Sequence, residues 1–496
     1  MSRAACRGRR RWLYLQGAIP ALALLTVGCA TRVPQAMTPA MTPQTFSGQI
    51  IGADPVWPTP DWWQAFGSPE LSGLIEKAQA ANRDLAVTVA RVMEAQAQTT
   101  IQRAALFPQI NAQAQALRSP SGQSGQSLSG QTYSAGNSFS LTVGASYELD
   151  FWGLARDNLR AATEALRSAQ FTRQAVALTV TANVANTYFS VMALRARIAI
   201  ANEDIAAINE ILDTIKLRVS TGKSSHLDLA QEQAQMESVE AQLPPLEEQE
   251  LEARVALAVL VGEPPEGFEI TTQGADAFLL PVPVAGVPSQ LLLRRPDVAA
   301  AEAALAAAHA NVDAARAAFL PQFGLTGNGG FASTALNTLL HGPNFAWDFG
   351  ATLLQTVFDG GKLRGQRDLA QATQKELIAS YQRAVLNAYA DVENALGQVT
   401  HTSKAEQHLG REVEAAREAF NISQLQYRQG ATDLLTVLQA QQTLFSAEDQ
   451  LAGTTFARMQ AVVHLVEALG GGWMERPEEQ TQSGPAEPDA PGGYKP

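Results

Sequence analysis

The chain has 496 residues, 46% of them hydrophobic and 17% charged, with a formal net charge of -12 and two cysteines. That length calls for more than one structural unit, the composition excludes a wholly disordered chain, and two cysteines cannot build a disulfide scaffold. The first 28 residues hold five arginines and no acid, which leaves 31 basic against 48 acidic residues in the remainder. So acidic a balance argues against nucleic acid as a partner.

Arg3, Arg7, Arg9, Arg10 and Arg11 form a basic head, and Trp12 to Gly28 is uncharged and mostly apolar. This predicts a secretory signal peptide over residues 1–28. It ends Leu25-Thr26-Val27-Gly28-Cys29. Small residues before a cysteine resemble a bacterial lipobox, with Thr26 where leucine is usual. The expectation is that Cys29 becomes the lipidated N-terminus. The alternative, a plain leader and a free thiol, is disfavoured in an oxidising compartment. Ala30 and Thr31 lack the aspartate that often holds lipoproteins at the inner membrane. Residues 29–57, rich in Pro, Thr, Ala and Gln, read as an extended tether. Residues 475–496, rich in Pro, Gly and acid, read as a disordered tail.

Between these ends the chain repeats itself. Arg103-Ala-Ala-Leu-Phe-Pro108-Gln109-Ile110 returns as Arg316-Ala-Ala-Phe-Leu-Pro321-Gln322-Phe323. Further on, Gly153 pairs with Gly361, Gly222 with Gly430 and Gly262 with Gly470, all at an offset of 208. Two structural repeats follow, 58–262 and 291–474, joined by a Pro- and Val-rich linker at 263–290.

In the first repeat, apolar residues at helical spacing over 69–106 predict a helix that Pro108 stops. Ile110, Ala112, Ala114 and Ala116 then alternate with Asn111, Gln113 and Gln115, the period of a strand. A Gly/Ser/Gln loop covers 119–137. Phe139, Leu141, Val143, Ala145, Tyr147 and Leu149 alternate with Ser, Thr, Gly and Glu, giving one apolar and one polar face. Leu154 to Thr221 holds no Gly and no Pro in 68 residues. A helix of that length spans ~100 Å, so a long coiled-coil arm is expected. Gly222 turns it, Ser225 to Leu243 runs back, and Pro244-Pro245 breaks it before a last helix ending at Val261. The second repeat follows the same plan. A helix over 297–319 leads to a strand opening at Phe323 and Leu325, less regular because of Gly327, Gly329 and Gly330. A second strand alternates from Phe345 to Leu353. No proline occurs from Asn344 to Arg476, and Gly430 supplies the turn.

Each chain thus offers four amphipathic strands and two long helical hairpins, a mixed, mainly α fold. Four strands cannot close a barrel, for which about eight is the practical minimum. Open edges are not tolerated in lipid. Three copies supply twelve strands, which gives an oligomeric membrane barrel with a helical tube below it, lipid outside and water inside. A soluble sandwich of the same strands is the alternative, and the leader and Cys29 count against it.

Six stretches then match a known family in order, over nearly the whole chain after the leader. They are Trp62-Trp63-Gln-Ala-Phe66, Tyr147-Glu-Leu-Asp-Phe-Trp-Gly153, Ala256-Leu-Ala-Val-Leu-Val-Gly262-Glu-Pro-Pro265, Arg294-Arg-Pro-Asp-Val298, Phe358-Asp-Gly-Gly-Lys-Leu-Arg364 and Leu469-Gly-Gly-Gly-Trp473. With these the chain resembles the TolC-like outer-membrane efflux proteins, in the lipoprotein branch typified by OprM and NodT. The resemblance implies a homotrimer whose twelve-stranded outer-membrane β-barrel continues into a long α-helical tunnel in the periplasm of a Gram-negative bacterium. It implies a passive conduit for small molecules that an inner-membrane pump, of the RND type, delivers through a periplasmic adaptor protein. The same architecture serves type I protein secretion; lipidation and Glu263-Pro-Pro favour efflux. A non-conducting coiled-coil lipoprotein is a third reading, which leaves the strands without a use.

No catalytic residue is expected. The six histidines, at 226, 309, 341, 401, 408 and 464, show no metal-ligand spacing, and no cofactor is implied beyond the lipid on Cys29. Function is expected at the two helical turns, Arg218-Val-Ser-Thr-Gly222-Lys223 and Tyr427-Arg428-Gln-Gly430-Ala431, where glycine permits positive φ. The resemblance puts both at the periplasmic tip, where the adaptor docks and the channel closes. Arg218, Gly222, Lys223, Arg428 and Gly430 are the candidate docking residues. Turn geometry alone also accounts for the glycines, and a helix C-terminus alone also favours the cations. Relatives often carry aspartates six and nine residues after the second turn glycine; here Thr436 and Gln439 stand there. Asp228 and Asp433 are therefore the candidate constriction residues. Either would give a trimer a ring of three carboxylates, attractive to cations, and either is equally a solvated aspartate near a helix start.

Overall fold

A computed structural model describes residues 57–120, 135–272, 278–280 and 291–473, all within one unit of the chain, Pro43–Pro496. The leader, Cys29, residues 30–56, most of the 263–290 linker and residues 474–496 lie outside the described residues.

Four strands form one antiparallel sheet in the order β1 (Gln109–Pro120), β2 (Ala135–Leu149), β3 (Gln322–Ser333), β4 (Phe345–Leu354). Each repeat supplies one hairpin, and the β2–β3 ladder joins the two. The register turns the period-two pattern into two continuous faces. Ile110, Ala145, Gly327 and Phe349 share one cross-strand row; Ala112, Val143, Gly329 and Trp347 share another on the same face. Asn111, Gly144, Asn328 and Asp348 form a row on the opposite face, where Asn328 Nδ2 donates to Asp348 Oδ2 at 3.0 Å. The apolar face is uncovered: Trp347 is 74% exposed and Phe349 70%. The glycines that blur the β3 pattern do not interrupt it. Gly327 and Gly329 lie under the rings of Phe349 and Phe345, 3.7 and 3.8 Å from where their Cβ would be, so aromatic neighbours cover what glycine leaves bare. Among the described residues, β1 and β4 each keep one edge without a partner.

Two short helices precede β1, α1 (Pro69–Ala81) and α2 (Arg83–Ala104). The single helix expected over 69–106 is thus corrected to two. Asn82 adopts an extended conformation and its side chain accepts from the Asp84 and Leu85 amides. Its side-chain Nδ2 donates to the Leu260 carbonyl at 2.8 Å. A residue so committed outside the helix ends one segment and caps the next.

The long arms are continuous: α3 (Leu154–Ser220) has 67 residues. In the first repeat the return path is α4 (His226–Glu240) and α5 (Leu243–Val261). The break falls at Ala241 and Gln242, just before the prolines expected to make it. Pro244 and Pro245 sit instead in the first turn of α5, where a missing N–H costs nothing. In the second repeat, α6 (Pro296–Ala317) precedes the strands, and α7 (Lys362–Gln429) has 68 residues. A single unbroken helix, α8 (Leu434–Ala468), returns.

The largest core lies at the far ends of the return helices. Phe66 on the 3-10 turn Trp62–Phe66, Leu71 and Ile75 of α1, Phe189 of α3, Val261 of α5 and Val462 of α8 are all buried there. Gly262 and Gly470 close α5 and α8 with φ of 84° and 88°. A Cβ on Gly470 would stand 1.8 Å from the Arg294 carbonyl oxygen, so the repeat keeps glycine there for close approach as well as for φ.

Candidate functional site

The two predicted turns have the same hydrogen-bond pattern. At the first, the Gly222 N–H donates to the Val219 carbonyl (3.0 Å) and the Lys223 N–H to the Arg218 carbonyl (2.8 Å). At the second, Gly430 donates to Tyr427 (3.0 Å) and Ala431 to Gln426 (2.8 Å). These are Schellman closures with the glycine at positive φ, 71° and 76°. Nothing lies within 4 Å of a Cβ built on either glycine. Glycine is therefore required there by the backbone and not by crowding.

The following helices are capped by side chains, with the roles exchanged between repeats. Ser225 caps α4 in a capping box: its Oγ accepts from the Asp228 amide, and Asp228 Oδ2 accepts from the Ser225 amide at 3.0 Å. Asp433 caps α8, accepting from the Thr436 amide (3.0 Å) and hydroxyl (2.6 Å). The Ser225 N–H and Ser224 hydroxyl hold the Asp228 carboxyl below its ordinary range, and the Arg218 charge adds to this. The Thr436 hydroxyl and amide do the same for Asp433. Both carboxylates are ionised and already engaged at their own helix starts.

The cations join the hairpins. The Arg218 guanidinium sits 4.7 Å from the Tyr427 ring centroid and donates to the Tyr427 carbonyl at 3.1 Å. Arg218 therefore touches α7 while its charge is felt by Asp228 on α4. Arg428 pairs with Glu210 of α3 at 3.0 Å across largely exposed surface, an interaction worth little on its own. Ile211, Ile215, Tyr427, Leu434 and Val437 are buried beneath these pairs. Lys223 is exposed. The structure thus brings Arg218 and Arg428 into one junction between the ends of α3 and α7. Tyr427 and Glu210 complete that junction, and the sequence marks neither role, because both depend on which helix lies alongside.

Among the described residues no helix is long and apolar enough to cross a membrane, and no group of three or more His, Cys, Asp or Glu could hold a metal ion.

The outer membrane efflux protein family matches residues 74–263 and 287–471. The pyoverdine export outer membrane protein OpmQ of Pseudomonas aeruginosa is 40% identical over 417 residues, 83% of this chain and 87% of that protein. The cation efflux system protein CusC of Escherichia coli is 29% identical, covering 91% of this chain and 98% of that one. The solved outer-membrane channel OprN superposes with a TM-score of 0.83 at 27% identity, over 89% of this chain and 99% of that structure.

Proposed function

We propose the following role for this chain, which belongs to the outer membrane efflux protein family. It is the outer-membrane conduit of a tripartite efflux assembly. Three copies close a twelve-stranded barrel in the outer membrane, and the helical hairpins form the tunnel into the periplasm. A periplasmic adaptor docks on the turns at Arg218, Gly222, Lys223, Arg428 and Gly430. An inner-membrane pump of the RND type supplies the energy. The observation that carries this reading is the sheet, which among the described residues has four strands, one uncovered apolar face, one polar face and two free edges. Such a sheet is stable in lipid only when its edges are paired, and its faces suit lipid outside and water within. Signal cleavage after residue 28 and acylation of Cys29 anchor the chain to the same membrane.

The constriction is formed at the tip, with Asp228 and Asp433 as the carboxylates that three chains would arrange in rings. The relative with the higher identity exports pyoverdine, which makes pyoverdine the first cargo to test, ahead of cations. A non-conducting coiled-coil lipoprotein has no use for the sheet. Type I secretion shares the architecture and is separated by the pump that the chain serves.

The test is planar-bilayer recording of the purified chain, with pyoverdine and drug export measured in a deletion strain. Discrete conductance steps, and export restored only by the functional gene, are expected. A chain that never conducts, and whose loss leaves export unchanged, removes the reading.

A further inference from the structure

Beyond the turns, α3 packs against both α4 and α8, and each of the three helices carries apolar residues at steps of three, four and seven. The stripes are Ala201, Ile208, Ile211 and Ile215 on α3, Leu229, Met236 and Val239 on α4, and Leu434 and Val437 on α8. That is the spacing of a coiled-coil seam. Asp204 and Glu232 interrupt the stripes on α3 and α4, and Gln441 is the next position of the stripe on α8. Glu232 is fully buried at 0% exposure and Gln441 is at 2%.

The three side chains are short of donors. Gln441 Nε2 donates to Asp204 Oδ1 at 2.9 Å. Both oxygens of Glu232, Oδ2 of Asp204 and Oε1 of Gln441 are buried with no hydrogen-bond partner. An ionised carboxylate can only accept, whereas a protonated one also donates. Burying an unpaired charge costs far more than burying a neutral acid. Burial first, and the Asp204 charge second, push the Glu232 carboxyl up to about 7. Burial also raises Asp204 against the donation from Gln441, and Glu448 of α8 adds its charge. Glu448 is itself paired with Arg417 of α7. Asp204 of α3 is the charged group that raises Glu232 further.

We propose that Asp204, Glu232 and Gln441 form a proton-binding latch between α3, α4 and α8, in which Glu232 holds a proton while the helices are packed and releases it to water when α4 parts from α3. The latch is a property of the helical arm and stands whether or not the chain conducts. Its sign follows from a packed-state value above the ordinary 4.5 of a glutamate. The packed arm is fully favoured in acid and loses that advantage as pH rises through about 7. A polar layer that merely fixes helix register would give no such dependence.

The experiment is an infrared pH titration of the full-length protein in detergent, from about pH 5 to about pH 8, with thermal unfolding measured alongside. A protonated-carboxyl band that disappears with a midpoint near 7, and that is absent in Glu232→Gln, is expected. Thermal stability should fall as pH rises toward about 7 in the unaltered chain and fall less steeply in Glu232→Gln. Should that variant not fold, Asp204→Asn must lower the midpoint by removing the facing charge. The latch is overturned by the lack of any carboxyl band titrating near 7, by an unchanged pH slope in Glu232→Gln, or by a midpoint unmoved in Asp204→Asn. A band abolished by magnesium at constant pH also overturns it, since a metal cation would then be the occupant.

Discussion

Replacing Arg218 with methionine tests the junction between the hairpins. Methionine keeps most of the apolar stem and removes the guanidinium. Two interactions are lost: the stack on Tyr427 at 4.7 Å and the hydrogen bond to the Tyr427 carbonyl at 3.1 Å. A cation over an aromatic ring at a partly exposed site contributes about 0.5–1 kcal/mol. A half-exposed charged hydrogen bond adds about as much again. The sum of about 1–2 kcal/mol lowers the ratio of joined to separated hairpins by roughly 5- to 30-fold. Asp228 remains ionised, because the Ser225 amide and Ser224 hydroxyl are the larger causes of its lowered value. The assay is single-channel recording, where Arg218→Met should raise open probability, in a cycle with Tyr427→Leu. The two changes should be less than additive, since both remove the stack on the Tyr427 ring, whereas the bond to the backbone carbonyl survives Tyr427→Leu. Unchanged gating, or full additivity, would refute the reading that this contact joins the hairpins.

Gly430→Val costs about 1–2 kcal/mol or more in backbone strain alone, since its φ is 76° and nothing crowds its Cβ; pump coupling, read as drug susceptibility at equal protein level, should weaken while the trimer survives. Gly470→Ala meets the Arg294 carbonyl at 1.8 Å and should instead lower the yield of folded protein, so equal folding of the two variants would contradict the distinction. Asp228→Ala removes a capping box worth about 1 kcal/mol and should shift the reversal potential toward lower cation selectivity. Because its carboxyl lies below the ordinary 3.8, the Asp228 contribution is complete above that value and lost as pH falls below it, which thermal melts in acid would read. Val143→Arg, on the uncovered apolar face, should cost about 2–4 kcal/mol near the bilayer midplane and block insertion, whereas Thr142→Arg on the polar face should insert; equal insertion of both would invert the faces.

The strands were legible because a period of two needs only side-chain polarity; Phe139 to Leu149 keeps it without exception, and Phe345 to Leu353 departs from it only at Ala346. The arms were legible because 68 residues without Gly or Pro in the first repeat, and a proline-free run from Asn344 to Arg476 in the second, leave little alternative to a helix. Asn82 was not, because asparagine interrupts a helix only when tertiary partners such as the Leu260 carbonyl hold it outside. The prolines misplaced the break by a few residues because proline is as acceptable in a first turn as it is damaging in an interior. At the turns, Gly222 and Gly430 announced themselves, while the attachment of Arg218 to Tyr427 required knowing that α3 and α7 end side by side. Glu232 left a readable mark: it stands between Leu229 and Met236 on an otherwise apolar stripe, where an acid is out of place.

The central claim is that this chain is one third of a closed barrel. The mass of the purified protein in detergent, measured by light scattering and corrected for bound detergent, tests it most directly. Three chains per particle is the predicted result, which joins each free β1 edge to a neighbouring β4. A monodisperse single chain would leave four strands with open edges and contradict the account.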